Sequence, residues 1–276
     1  YKDTEEDQSE DMGKILSGTL NIQEGSYPDM IQHMLADNPT ISERTDFSVT
    51  NVATTTGTIY QTNKTEDGST VFYYSGNTTN NWVKFGGFYW RIIRTNEDKS
   101  VRLLYAGTSH DTTEGYIYAP FSSAYNDPMY VGYMYGTSGS LENNRANTND
   151  STIKSVVDTW YQNNLLVNYD KYISKTAIYC NDRSTQNNSY STSTIFEYGP
   201  YTRLKANKMP TYKCGSNGND GLFENTQATA DKFSASTIGG GNGQLTYPIA
   251  LMTADEVAFA GGVYETDSPY AWYYTN

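Results

Sequence analysis

Residues 80–105, NNWVKFGGFYWRIIRTNEDKSVRLLY, form the most regular stretch of the sequence and predict the centre of the fold. Trp82–Phe85, Phe88–Arg94 and Val101–Tyr105 are rich in aromatic and branched apolar residues, which favours three strands. Gly86-Gly87 separates the first two strands and indicates a break or a bulge. The polar NEDK segment indicates a turn before the third strand. The sequence therefore predicts an antiparallel β-rich unit built around these residues.

The middle strand presents two different faces, because successive side chains of a strand point to opposite sides of the sheet. Phe88, Trp90 and Ile92 share one face. Arginine residues beside aromatic residues on a strand are usually stacked on a ring or solvated, and they seldom act in catalysis. We therefore interpret the stretch as scaffold, with four side chains packed in the interior: Trp82, Phe88, Trp90 and Ile92.

Four further segments have the composition of strands. Thr58–Tyr60 and Thr70–Tyr74 flank the acidic, glycine-containing segment NKTEDGS, which is typical of a hairpin turn. The other two are Thr176–Cys180 and Tyr247–Met252. Together with the three central strands, these segments predict antiparallel hairpins.

Three segments predict helices. Residues 26–37 place apolar side chains on one stripe, and residues 151–165 do the same after a capping Ser151 or Asp150. The apolar stripes consist of Met30, Ile31, Met34 and Leu35 in the first helix, and Ile153, Val156, Val157, Trp160 and Leu165 in the second. Thr253 and Glu256 have the spacing of a capping box for a short helix up to Ala260, and Gly261 would end it.

The composition excludes several classes of function. The chain has 276 residues and a formal net charge of −12, which argues against binding to nucleic acid or to anionic membrane surfaces. It contains no apolar run of about 18 residues, so we expect no membrane span. The chain has 26 Tyr but only 9 Phe. A fold rich in Tyr, Thr, Asn and Ser suits an extracellular protein.

The sequence contains none of the common catalytic motifs. It lacks G-x-S-x-G, H-E-x-x-H and a phosphate-binding loop, and the GGGNG segment at 239–243 leads into a predicted strand rather than a helix. The acidic segment SHDTTEGY at 109–116 lacks the regular spacing of a calcium loop. The predicted capping box accounts for Glu256 without a catalytic role. We therefore expect no catalytic residue, no metal site and no cofactor.

The two cysteines, Cys180 and Cys214, leave two readings open. A zinc site needs about four ligands, and the histidines number only two, His33 and His110. A structural disulfide is the leading interpretation, and two free buried thiols are the alternative.

Charge and composition divide the chain near residue 50. Residues 1–12, YKDTEEDQSEDM, carry six acids and one Lys, so residues 1–50 are predicted to be an acidic tail with a short helical stalk. Residues 51–276 are predicted to be a β-rich domain.

Several long segments of the sequence are similar to those of a known protein family. The chain resembles a family of exported surface proteins of uncharacterised function from Firmicutes and related gut bacteria. The resemblance lies in the central stretch and in four further segments: STIKSVVDTWYQNN, AIYCNDRS, PTYKCG and GNGQLTYPIALMTADEVAFAGG. The resemblance covers about residues 55–265, and the two family cysteines fall at Cys180 and Cys214. It implies an α+β, C-type-lectin-like domain of the formylglycine-generating-enzyme-like group, with one or two packed helices. Such relatives continue into a Trp- and Ser-rich segment and a final strand, so we expect the domain to be truncated at its C-terminus.

The expected function is therefore non-catalytic recognition of a glycan or protein ligand at the cell surface. The first alternative is a structural subunit of a surface filament or pilus, and the second is an enzyme related to the formylglycine group, which lacks support in the cysteine pattern. The aromatic C-terminal segment YETDSPYAWYYTN offers wide contact area at low entropic cost, so it is the predicted ligand face, together with the 106–150 loops. An alternative is that these rings complete the core. The residues concerned are Tyr270, Trp272, Tyr273 and Tyr274.

Overall fold

The computed structural model describes residues 29–51, 56–110, 115, 117–120, 147, 149–180, 201–214 and 232–263. Within these residues the fold is α+β, as expected, with a six-stranded sheet and a two-stranded ribbon. The helices are α1 (Asp29–Asp37), α2 (Thr152–Asn164) and α3 (Ala254–Ala260). The strands are β1 (Thr40–Ser42), β2 (Thr58–Thr62), β3 (Val71–Tyr73), β4 (Trp82–Phe85), β5 (Phe88–Thr95), β6 (Val101–Gly107), β7 (Tyr179–Cys180) and β8 (Lys232–Phe233). No described helix is long and apolar enough to cross a bilayer.

Strand β5 is the centre of the sheet. It pairs with β6 along one edge, while β4 and β3 follow one another along its opposite edge. β2 pairs with β3, and β1 forms the outer strand beside β2. The β1–β2 pair is parallel and the other pairs are antiparallel, so the sheet is mixed. The three strands predicted from residues 80–105 are thus confirmed as the middle of the sheet.

A two-residue turn joins β4 to β5. Gly86 and Gly87 have φ angles of 64° and 86°, and Phe85 lies opposite Phe88. Left-handed backbone at both central positions is the geometry of tight hairpin turns, and glycine adopts it without a steric cost. The sequence suggested a break or bulge here, whereas the structure shows the turn that sets the register of the hairpin.

A β-bulge does occur, further along β5. Ile92 lies opposite Leu103 and Arg94 opposite Arg102, so Ile93 is an extra residue in the pairing with β6. A bulge places two consecutive side chains towards the same face. Ile93 packs with Ala260 of α3, and Arg94 binds a side chain of the same helix.

Helices cover both faces of the sheet. α1 inserts Ile31 and Met34 on one face, in a cluster completed by Ile59, Phe72, Tyr74 and Ile92. α2 packs on the same side against Trp90 through Tyr161, and Leu165, just after the helix, joins this cluster. On the opposite face Phe259 of α3 packs with Phe47, Val71, Tyr73 and Tyr212. Residues 29–50 are predicted to lie in the tail and stalk before the main domain, yet Ile31, Met34 and Phe47 of this range belong to the core clusters of the sheet.

Helix α2 follows the prediction closely. Ser151 caps it by accepting a hydrogen bond from the Lys154 backbone N–H at 3.1 Å. Trp160 lies against Trp90 and Tyr105 of the sheet, with ring centroids 5.9 and 4.6 Å apart. Val156 and Val157 instead pack, half-buried, beside Phe233 of β8. Only part of the predicted stripe therefore contacts the main sheet.

Helix α3 is confirmed with its capping box. The Thr253 hydroxyl accepts from the Glu256 backbone N–H, Glu256 accepts from the Thr253 N–H, and Gly261 ends the helix. The strand predicted at Tyr247–Met252 is wrong, because this segment is irregular in the structure. Pro248, the second residue of this segment, lacks the N–H group that a sheet ladder requires.

Candidate ligand-binding surface

The predicted ligand face lies outside the described residues. This applies to Tyr270, Trp272, Tyr273 and Tyr274, and to most of residues 106–150. Their role in binding stays a prediction. The described part of the chain, however, carries candidate binding side chains of its own.

The disulfide between Cys180 and Cys214 is confirmed. The two Cα atoms lie 4.9 Å apart, and Cys214 is fully buried. The Cys214 backbone N–H donates to Glu66, whose other carboxylate oxygen lies 2.6 Å from the ammonium of Lys232 in β8. The bridge thus ties the β7–β8 ribbon to the segment that carries Tyr212. Neither cysteine is free, so neither can act as a nucleophile.

Glu256 does more than cap α3. Its Oε1 accepts from Arg102 Nη1 at 2.6 Å and from Arg94 Nε at 3.2 Å, and all three side chains are buried. Burial by itself would raise the pKa of Glu256, but the charges of Arg102 and Arg94 and the Thr253 N–H outweigh it, so the pKa lies below its usual value. A carboxylate held ionised in this way is a poor general acid.

Each arginine of this cluster also stacks on a tyrosine ring, Arg94 on the buried Tyr212 and Arg102 on the half-buried Tyr179. The guanidinium carbon of Arg94 lies 4.2 Å from the ring centroid of Tyr212, and that of Arg102 lies 4.2 Å from that of Tyr179. Arginine suits such sites because its planar, weakly hydrated cation stacks on aromatic faces. The cluster joins β5, β6, α3 and the disulfide-bonded segments.

A second buried ion pair orders the chain before the disulfide. Arg203 donates from Nε and Nη2 to the two carboxylate oxygens of Asp255, at 2.7 and 2.5 Å. The Thr211 backbone N–H donates to the same carboxylate at 2.9 Å. Both charged side chains are buried, and the two-pronged geometry fixes residues 203–211 against α3.

No group of three or more His, Cys, Asp or Glu side chains suited to a metal ion occurs among the described residues. His33 is exposed on α1. His110 is exposed as well, but it lies in an aromatic setting on the sheet.

We use the name aromatic platform for five side chains, four on one face of the β4–β5 hairpin and one shortly after β6: Trp82, Lys84, Tyr89, Arg91 and His110. The imidazole of His110 lies between two rings, with centroid distances of 5.5 Å to Trp82 and 5.3 Å to Tyr89. The Arg91 guanidinium carbon lies 4.1 Å from the Trp82 ring centroid, and Lys84 Nζ lies 5.2 Å from that of Tyr89. Three basic groups thus surround two large aromatic rings.

The hairpin register builds this platform. Trp82 lies directly opposite Arg91, and Lys84 opposite Tyr89, so the two cation–ring pairs are cross-strand neighbours on one face. Gly107 lies opposite Tyr89 on the β6 side and contributes no side chain there.

The platform differs in burial from the core beneath it. Trp82 and Tyr89 are half-buried, and Lys84 and His110 are exposed, whereas Arg91 is only 5% exposed. Arg91 is held by donating from Nη1 to the Thr78 carbonyl and to Asn81 Oδ1, each at 3.2 Å. A fixed cation therefore supports rings that solvent can reach.

The structure corrects one part of the scaffold interpretation. Phe88, Trp90 and Ile92 belong to the clusters on the face that α1 and α2 cover, as expected. Trp82 lies on the other face with Arg91, so it is not packed with them. The alternation of β5 could have revealed this, once the two-residue turn had fixed Phe85 opposite Phe88.

Comparison with models of protein families found no match, and comparisons with curated proteins and with solved structures found none either.

Proposed function

We propose that this chain is a non-catalytic domain that recognises a glycan or protein ligand at the cell surface, with the aromatic platform as part of its binding face. The observation that carries the proposal is the arrangement of Trp82 and Tyr89, two half-buried rings on a rigid hairpin, each paired with a cation. Tyr and Trp give wide contact area while losing little side-chain entropy, which is why recognition surfaces favour them.

The buried ionisable groups support a non-catalytic function. Glu256 and Asp255 are each neutralised by arginine and held in fixed positions, so their role is to stabilise the fold. The rings of the platform, in contrast, contribute little to the described hydrophobic clusters, which include neither Trp82 nor Tyr89. Half-exposed aromatic side chains that the core does not use are candidates for binding.

The fold and the location belong to the same proposal. A mixed sheet with helices on both faces and a disulfide-bonded irregular region supports a C-type-lectin-like domain. Disulfides persist in oxidising compartments, so the Cys180–Cys214 bridge supports an exported protein. An experimental structure of the whole chain would test the fold assignment through the path of residues 111–146 and 181–200.

A binding screen tests the recognition function. The purified chain is applied to an array of glycans and extracellular proteins, beside the variants Trp82→Ala and Tyr172→Ala. Tyr172 is 68% exposed on a different part of the surface and pairs with Lys171, so it is a matched control. We expect a ligand whose binding is lost with Trp82→Ala and kept with Tyr172→Ala. Equal binding by all three proteins to every ligand would refute the proposal.

One observation favours the second candidate, a filament subunit. Strand β1 is the outer strand of the sheet, no described strand pairs with its other edge, and Ile41 at its centre is 48% exposed. An exposed edge strand can accept a strand from another molecule. Electron microscopy of the purified protein separates the two functions, because a filament subunit would form regular polymers.

A further inference from the structure

We propose that a chloride ion binds in the interior of the protein between the side chains of Arg44 and Tyr73. This site is separate from the aromatic platform and lies where the segment after β1 meets β3 and the end of α3. Three observations support it: two buried donor groups without an acceptor, a partly buried guanidinium without an ion pair, and a second cation beside the same aromatic ring.

Two buried polar atoms have no hydrogen-bond partner in the described part of the chain, namely Nη2 of Arg44 and Oη of Tyr73. Tyr73 is only 1% exposed, so bulk water does not reach its hydroxyl group. Buried polar groups are hydrogen-bonded in the great majority of cases. A guanidinium nitrogen can only donate, and the proton of a phenol also needs an acceptor. A group that satisfies both atoms must therefore accept hydrogen bonds.

The two donor groups belong to one neighbourhood around the ring of Phe47. The guanidinium carbon of Arg44 lies 4.5 Å from the Phe47 ring centroid, and Tyr73 packs in the same hydrophobic cluster as Phe47. Burial raises the pKa of the Tyr73 hydroxyl, and the charge and the backbone N–H of Arg44 both oppose that rise, as expected for direct neighbours. One small acceptor can therefore serve both side chains.

The charge of Arg44 favours an anion over a water molecule as this acceptor. Nη1 of Arg44 donates to the Ser75 hydroxyl and to the carbonyls of Ala258 and Phe259, which are all neutral. Arg44 forms no ion pair within the described residues, and Asp46 influences it only from an exposed position. Burial is the main cause that lowers the pKa of Arg44. Because burying an unpaired cation is costly, an anion would stabilise this arrangement more than water.

The surroundings of the site favour a small, singly charged anion. Lys64 supplies a second cation, because its Nζ lies 5.7 Å from the centroid of the same Phe47 ring. Both donor atoms are closed off from solvent, which favours a small ion over sulfate, phosphate or an organic acid. Chloride is such an ion, and it accepts charge-assisted hydrogen bonds from N–H and O–H groups.

Thermal unfolding of the full chain in two salts tests the site. Sodium chloride replaces sodium gluconate at constant ionic strength, because gluconate is too large for an enclosed position. An ion that binds only the folded state stabilises it increasingly as its concentration exceeds the dissociation constant. Raising chloride from zero to about 0.3 M should therefore raise the Tm by about 3 °C or more.

A pair of tyrosine variants locates the effect. Tyr73→Phe removes one donor and keeps the ring, so the protein should fold and most of the chloride-dependent rise in Tm should disappear. Tyr74→Phe is the matched control, because Tyr74 is also 1% exposed but its hydroxyl accepts a hydrogen bond from Asn38 Nδ2 at 3.0 Å. This variant should keep the full response to chloride, even if its Tm is lower in both salts.

Diffraction from a crystal soaked in sodium bromide gives a second readout, and we expect an anomalous peak between Arg44 Nη2 and Tyr73 Oη. Three results would overturn the proposal: the same Tm in chloride and gluconate, an equal chloride response in the wild type and Tyr73→Phe, or a water molecule without anomalous signal at this position. The recognition function does not depend on these outcomes, because the Trp82→Ala variant tests it at a different place.

Discussion

Oε1 of Glu256 in helix α3 lies 2.6 Å from Nη1 of Arg102 in strand β6, and both side chains are buried. Arg94 of β5 reaches the same oxygen at 3.2 Å, so one carboxylate joins two adjacent strands to the helix above them. The β-bulge at Ile93 makes this possible, because it places Arg94 opposite Arg102 on the side of the sheet that α3 covers. This cluster is the polar centre of that face.

Removing the charge of Glu256 should strongly destabilise the fold. Glu256→Gln leaves two buried guanidinium groups without their shared anion, and breaking a buried ion pair costs about 3–5 kcal/mol of unfolding free energy. Urea unfolding of the two proteins measures the difference. Asp150→Asn is the control, because Asp150 is 46% exposed and lies 3.3 Å from Lys154. That change should cost less than about 1 kcal/mol. A loss of similar size in both variants would contradict the role of the cluster.

Acid should remove the contribution of Glu256. The pKa of Glu256 is lower in the folded state than in the unfolded chain, so its stabilisation is complete above the unfolded-state value of about 4.3 and is lost as the pH falls through the folded-state value. We expect the difference in unfolding free energy between the wild type and Glu256→Gln to shrink as the pH falls from 7 towards 3. A difference that grows towards acid would show that the folded-state pKa is raised instead.

The disulfide should protect both thiols and stabilise the fold. Intact mass after unfolding and alkylation should show no alkylated cysteine without reductant and two with it. The cysteines are 34 residues apart, so reduction should cost about 4 kcal/mol in a chain-entropy model. Alkylation of both thiols in unreduced protein would contradict the bridge.

Trp160 should matter for stability, but less than a fully buried indole. It contacts Phe88, Trp90 and Tyr105, yet its side chain is only half-buried. Trp160→Ala should therefore cost about 2–3 kcal/mol, below the 3–5 kcal/mol typical of buried aromatic residues. Thr159→Ala, at an exposed position of the same helix, is the control and should change the unfolding free energy little. A loss below about 1 kcal/mol for Trp160→Ala would mean that α2 packs on the sheet through other residues.

Local patterns predicted most of the regular elements. The strand Trp82–Phe85 and the capping box of Thr253 and Glu256 follow from spacing over a few residues, so the sequence alone revealed them. The strand predicted at Tyr247–Met252 failed for a local reason as well, because Pro248 outweighs its apolar neighbours.

Local sequence patterns could not predict the long-range contacts. Glu256 is separated from Arg102 by 154 residues and from Arg94 by 162, so spacing predicted the cap and missed the arginines. The aromatic platform also depends on long-range contacts, because His110 reaches Trp82 and Tyr89 only when β5 and β6 pair in the observed register. A one-residue difference in register moves a side chain to the other face, which is why Trp82 was misplaced.

The location of ligand contacts tests the central claim, that the aromatic platform is a recognition surface. The measurement is nuclear magnetic resonance of isotope-labelled protein during titration with the ligand that the array selects. The account predicts that the largest shifts occur at the indole N–H of Trp82 and at the backbone amides of Lys84, Tyr89 and His110, and that they vanish in Trp82→Ala. Shifts confined to other regions, such as the surface around Tyr172, would contradict it.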